Sequence, residues 1–246
     1  MKLPKSLYPY VGGFVLFAIL VSPFTGSSDS SPSPTPTTKP TRSQTPPASP
    51  TQSAEPTETT VAEEQPAQAE SVWADLLSQL SLAPEQGAGY DRDLFRHWID
   101  SDGDGCNTRR EVLIEEAIEK PTISGDCDLF GGTWYSVFDG VTTEDPGDFD
   151  IDHFIPLKEA WDSGAHAWSA SQRRAFANDL GNPEALIAVT ASSNRSKSDR
   201  DPADWLPPNQ EYHCQYITDW IKVKIFWRLS VDEREFQALR KVALGC

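Results

Sequence analysis

The stretch from Thr25 to Glu70 decides where this chain can fold. It is built from Ser, Thr, Pro, Glu and Gln with almost no large apolar side chain. Such a segment cannot bury enough surface to offset its ordering entropy, so it reads as a disordered, partly extended linker over residues 25–70. The fold is therefore confined to residues 71–246, a length that suits one core. All eight tryptophans and all four cysteines lie there. Ahead of the linker, Val11–Phe24 is an apolar run behind Lys2 and Lys5. Residues 1–24 fit a cleaved secretory signal and equally a short uncleaved membrane anchor. Either one puts the rest of the chain outside the cytoplasm, secreted or tethered.

An even number of cysteines behind such a segment implies two disulfides. Of the three pairings that Cys106, Cys127, Cys214 and Cys246 allow, Cys106–Cys127 and Cys214–Cys246 close the shortest loops. The absence of any Cys-x-x-Cys spacing argues against zinc.

Periodicity predicts an α+β domain. Helical spacing covers residues 71–82, 90–99, 108–120, 168–180, 212–229 and 232–242, and a further helix starts at Ser192. Residues 123–141 read as a hairpin, Phe149–Ile155 and Leu186–Thr190 as strands. The charge is unusual for a protein that acts on nucleic acid. The chain carries a formal −16, and from Ser71 onward 17 Lys and Arg face 31 Asp and Glu. Phosphate binding ordinarily draws on a basic surface, so any such activity must rest on a local cationic patch or a bound metal.

Two segments supply the chemistry. "DFDIDHFIPL" (Asp148–Leu157) gathers Asp148, Asp150 and Asp152 beside His153. Hard divalent cations take carboxylate oxygens, and an imidazole can accept a proton from water near neutral pH. Neighbours on a strand point to opposite faces, so a twist or bulge is expected if Asp152 is to face a metal while His153 faces a water. In "LIAVTASSNRSKSDR" (Leu186–Arg200) a strand runs into a helix start that carries Asn194, Arg195, Lys197 and Arg200, the densest positive patch in the domain. Each segment alone has a plain structural explanation: a surface Asp-His pair, a helix cap, a solvated basic face. Their order gives them joint meaning. The remaining histidines, His97, His166 and His213, lack such partners and read as structural or surface residues.

"DIDHFIPL" followed by "GNPEALIAVTASSNRSKSD" resembles the ββα-metal, or HNH, nuclease motif, and is similar to the HNH domain of RNA-guided effector nucleases. Across about 155 residues the chain resembles the secreted bacterial HNH family DUF1524, through Gly105-Cys106-Asn107-Thr108-Arg109, the Asp-His pair, "FAND", "NRSKSD" and "WLPP". The resemblance implies a ββα-metal core surrounded by helices. It implies a metal-dependent endonuclease that cuts DNA, with magnesium or a similar divalent ion. Asp152 and Asn194 match the metal ligands, and His153 matches the general base. Asn182 matches the asparagine that fixes the histidine through the backbone. Arg195 and Lys197 match basic residues near the phosphate, with Asp150 as a partner behind the ligands. The protein is expected to act as a monomer and to touch the membrane only through an uncleaved amino terminus.

"DSDGDGCNTRRE" (Asp100–Glu111) fits the calcium-loop pattern, with Asp100, Asp102 and Asp104 as side-chain ligands, the Cys106 carbonyl, and Glu111 closing the loop. A Gly/Asp turn held by the Cys106 bridge explains the same residues. Two other functions fit the chain: a calcium-stabilised extracellular binding module with an inert site, and a hydrolase of another phosphodiester or a cell-wall polymer.

Overall fold

The computed structural model describes residues 66–246. The expected signal or anchor lies outside the described residues, as does the expected linker up to residue 65. Helix α1 (Pro66–Ser78) starts and ends earlier than the pattern of apolar residues predicts. Ser81–Leu82 leave it to form β1, because they pair in parallel with a strand near the carboxyl terminus.

Residues 90–99 are not a helix. Only Arg92–Leu94 make one 3-10 turn, with the Asp91 side chain capping it. Phe95 is buried, but Leu94 is 39% exposed, so the supposed apolar face does not exist. The backbone of Arg96 and Ile99 bonds instead to the side chain of Asn178, some eighty residues away.

Helix α2 (Thr108–Glu116) begins at the Asn107 cap, whose side chain accepts from the Arg110 amide. The expected single hairpin is two small ladders, β2 (Thr122–Ser124) with β3 (Asp128–Phe130), and β4 (Trp134–Tyr135) with β5 (Thr142–Thr143). Gly131 and Gly132 separate them at positive φ. A Cβ on Gly132 would stand 2.7 Å from the Trp134 ring, so only glycine lets that buried indole close over the turn.

Strand β6 (Phe149–His153) follows, then α3 (Leu157–Asp162) and α4 (Ala170–Phe176). Helix α4 opens on a capping box between Ser169 and Gln172. Strand β7 (Leu186–Thr190) runs into α5 (Ala191–Lys197), then α6 (His213–Trp227), β8 (Ser230–Val231), which is the partner of β1, and α7 (Glu233–Ala243). The fold is α+β. Disulfides join Cys106 to Cys127 and Cys214 to Cys246.

β6 and β7 pair antiparallel in unbroken register from Phe149↔Thr190 to His153↔Leu186, and Phe154 extends the pairing to Ala185. Alternation divides the hairpin cleanly. Phe149, Ile151, Leu186 and Ala188 pack on α2 residues Val112 and Leu113 and on Trp134. On the other face, Ile187 and Val189 join the larger core around Phe154, Tyr216 and Trp220. The same alternation sends Asp150 and Asp152 toward the α5 side and His153 toward the α2 side.

Candidate active site

The hairpin and the helix that leaves it bring five of the sequence-predicted residues into contact, in two groups. Asn194 on α5 donates through Nδ2 to Asp150 Oδ2 at 3.3 Å. Arg195, with a side chain 77% exposed, places Nε 3.7 Å from the same carboxylate oxygen. Asp152, two residues on, meets Lys197 rather than Asn194: Nζ donates to Asp152 Oδ2 at 2.5 Å.

Lys197 departs from the expected phosphate contact. It is fully buried, because α5 packs down on β6 and turns this residue inward with Asn194. Burial pushes the Asp152 carboxyl up and the Lys197 ammonium down, and each partner's charge opposes the other's shift. Asp150 adds its negative charge to the upward push on Asp152.

No bulge turns His153 to the Asp152 face. The imidazole is buried on the opposite side, stacked on the Trp98 indole with centroids 5.1 Å apart, and His97 stands edge-on at 6.0 Å. Its Nε2 lies 3.0 Å from the Ala177 carbonyl oxygen, next to the end of α4. A carbonyl only accepts, so Nε2 carries the proton and Nδ1 keeps the lone pair. Burial pushes the imidazole down to about 3; the Ala177 bond works against this, and the charges of His97, Arg92 and Lys197 add to it. His153 is thus a neutral base at ordinary pH.

Asn182 reaches His153 only through the chain. Its side-chain oxygen accepts from the Glu184 amide, and its carbonyl accepts from Ala185, whose own carbonyl accepts from Phe154.

Three contributors were not visible in the sequence. Asn178 spends its whole amide on neighbours: Oδ1 accepts from Thr108 Oγ1 at 2.8 Å and Ile99 N at 3.1 Å, while Nδ2 donates to the carbonyls of Arg96 and Arg174 at 2.8 Å each. It pins the segment carrying His97 and Trp98 to the helix end that orients His153. Trp98 sits at φ +56°, a conformation that a bulky residue holds only under such constraint. Arg109 donates to the Phe149 carbonyl at 2.8 Å, where β6 begins. The "FAND" and "TR" segments marked these neighbourhoods, but no spacing rule assigned the contacts.

Asp100, Asp102 and Asp104 converge, with carboxylate oxygens within 4.8 Å of one another. Backbone amides fold the loop around them: Asp100 accepts from Gly103 and Gly105, and Asp104 from Cys106. Glu111 faces the loop from α2, its carboxyl raised by burial and then by the three aspartates. The Cys106 sulfur is committed to its disulfide.

The donors on the α5 face of β6 are all oxygens: two carboxylates and the Asn194 amide. That set suits a hard divalent ion rather than a thiophilic one. Asn194 bonds Asp150 through nitrogen and Lys197 engages Oδ2 of Asp152, so these contacts do not use Oδ1 of Asn194 or Oδ1 of Asp152.

The chain shares its sequence with a secreted protein and with an endonuclease family. A secreted protein of Arthroderma benhamiae that carries no functional description is 46% identical over 172 residues, covering 70% of this chain and 83% of that protein. No solved structure matches. Among the described residues no helix is long and apolar enough to cross a membrane. The family model described as "GmrSD restriction endonucleases, C-terminal domain" matches residues 93–242, a span that contains the β6–β7 hairpin, α5 and every side chain just placed around them. By that match this chain belongs to the GmrSD C-terminal domain family.

Proposed function

We propose that this protein is a divalent-metal-dependent endonuclease of the HNH type that hydrolyses DNA phosphodiester bonds outside the cytoplasm. The observation that carries the reading is the passage from β6 through β7 into α5: two antiparallel strands and a helix that join Asn194 to Asp150 and carry Asp152 and His153 on opposite faces of the same strand, within a region matched to an endonuclease family. That is the order of a ββα-metal core. The secreted relative and the two disulfides support an exported location.

Asp152 and Asn194 would hold the ion, with Asp150 beside them; magnesium suits these oxygens. A bound divalent cation supplies charge stabilisation at the phosphate and the leaving oxygen. His153 accepts the proton of the attacking water at Nδ1, since Nε2 is committed to Ala177. Its low basicity is that of the free protein. An arriving phosphodiester is an anion and favours the imidazolium, raising basicity when the substrate is present. The Ala177 carbonyl and the Trp98 face keep the ring from rotating. Arg195, exposed at the rim, offers its guanidinium to a phosphate oxygen. The base and the ion ligands occupy opposite faces of one strand, so the scissile phosphate would be addressed at the edge of β6 that has no strand partner among the described residues.

The loop Asp100–Glu111 would take a structural calcium, supported by its residue pattern and by the convergence of its three aspartates.

Supercoiled plasmid incubated with the protein and Mg²⁺ is expected to be nicked and then linearised. His153→Ala should abolish cutting without moving the thermal midpoint by more than a few degrees. Intact plasmid under Mg²⁺, Mn²⁺, Ni²⁺ and Zn²⁺ alike would refute the enzyme assignment. Turnover of small phosphodiesters without DNA cleavage would redirect it to another substrate.

A further inference from the structure

Lys197 stands three residues after Asn194 on α5, so their side chains leave the helix on one face. Asp150 and Asp152 stand two apart on β6 and share a face of the strand. The two faces meet in order, Asn194 on Asp150 at 3.3 Å and Lys197 on Asp152 at 2.5 Å. The Lys197 ammonium makes two more bonds, to the His153 carbonyl at 3.0 Å and the Phe154 carbonyl at 2.8 Å. An ammonium has three donors, and all three are used. Above it lie the rings of Phe138, Phe154 and Trp220, each with its centroid 5.7–5.9 Å from Nζ. A substrate phosphate finds neither a free donor nor a route to one.

We infer that Lys197 is a positioning residue, a buried clamp that locks the Asp152 carboxylate and the His153 main chain into one rigid unit instead of binding substrate. The inference rests on the endonuclease reading for what is being positioned. Asp152 and His153 diverge to opposite faces of β6, so side-chain contact cannot couple them. Lys197 couples them by gripping one through its carboxylate and the other through its backbone. It also fixes which oxygen of Asp152 remains for a cation. A buried ion pair adds little net stability over a well-packed apolar substitute, so geometry is the more economical reason for its presence.

The two roles separate in a binding experiment. Affinity for a duplex is measured against salt in EDTA, and single-turnover cleavage in Mg²⁺, for the wild type, Arg195→Gln and Lys197→Met. Arg195→Gln should reduce the log–log salt slope by about 1, as loss of a phosphate contact does. Lys197→Met should leave slope and affinity at wild-type values while cleavage falls by about 100-fold, the scale of a 1 Å misplacement. A Lys197→Met slope reduced like that of Arg195→Gln would overturn the clamp. Should Lys197→Met fail to fold, the wild-type protein decides: the Lys197 ¹⁵Nζ resonance should exchange slowly and shift on titration with Mg²⁺ alone, and stay fixed on adding metal-free duplex. The reverse pattern also overturns it. A wild type that cuts nothing under any divalent ion rejects the endonuclease reading, while the ammonium resonance still reports independently on the clamp.

Discussion

His153 shows how much one residue's surroundings change its chemistry. A free imidazole titrates near 6.5, whereas this one is pushed by burial to about 3. The unfolded chain therefore binds a proton that the native site refuses. Above pH ~6.5 neither state binds it and the group is neutral in the balance. As pH falls from ~6.5 toward 3, folding loses up to about 1.4 kcal/mol per pH unit from this residue. Other buried groups act with the opposite sign: Asp219 is raised to about 6 and Glu235 to about 7, so acid favours their folded forms. A difference measurement isolates the histidine. Denaturant unfolding of wild type and His153→Asn at pH 7 and pH 4 should show the wild type losing more stability than the variant by about 2 kcal/mol or more. Equal losses would mean the ring is solvated. The residue type and its aspartate neighbour were legible in the sequence. The tautomer was not, because the carbonyl that sets it belongs to Ala177, a residue with no distinguishing side chain.

Among the elements, β6, β7, α5 and α7 lie close to where alternation and caps place them, since their signals are local. Asp232 caps α7 through the Glu235 amide, and Thr190 caps α5 through Ser193. Segment 90–99 is not a helix because its backbone partners are remote: Asn178 takes the Ile99 amide and the Arg96 carbonyl, two groups that a helix would have paired. Asn178→Ala should cost about 2–3 kcal/mol, leaving part-buried groups unpaired. It should also lower cleavage in protein that remains folded, since Trp98 and Ala177 both lose their tie. A variant that loses stability but cuts at the wild-type rate would make Asn178 a scaffold residue only. The Asp100–Glu111 loop belongs to the same scale. Adding Ca²⁺ to EDTA-treated protein should raise the thermal midpoint, and Asp102→Asn together with Asp104→Asn should abolish the rise; an unchanged midpoint would leave the loop as a turn held by Cys106–Cys127. Breaking that bridge with Cys106→Ser and Cys127→Ser should cost about 3 kcal/mol. Lys197 is buried where the resemblance implies a residue near the phosphate. In "NRSK" a lysine looks like part of a solvated run, yet the i, i+3 step from Asn194 already put both on one face. Had that face been matched to the two-residue step of Asp150 and Asp152, the clamp would have been readable.

For the molecule as a whole, the question is how an acidic body holds a polyanion. Of its basic side chains, Lys197 and Lys224 are fully buried, and Arg110, Lys120, Lys158, Lys222 and Arg234 pair with carboxylates. Exposed Arg92, Arg96, Arg174, Arg200, Arg228, Arg240 and Lys241 make no ion pair among the described residues, and Arg195 reaches only Asp150, at 3.7 Å. Asn178 draws the backbones of Arg96 and Arg174 together, beside the segment that walls His153. Carboxylates still outnumber the cations 31 to 17 from Ser71 onward, so few phosphates are neutralised at once, and each releases about 0.9 counterions from a duplex. Added salt also screens repulsion from the acidic remainder, which works against the loss of those contacts. Duplex affinity should consequently fall with salt along a shallow line, with a log–log slope no steeper than about −4. Fluorescence anisotropy on a short duplex between 50 and 200 mM salt would measure it. A slope of about −8 would require nearly all of these exposed cations on phosphate at once, and would overturn the reading of a local basic patch.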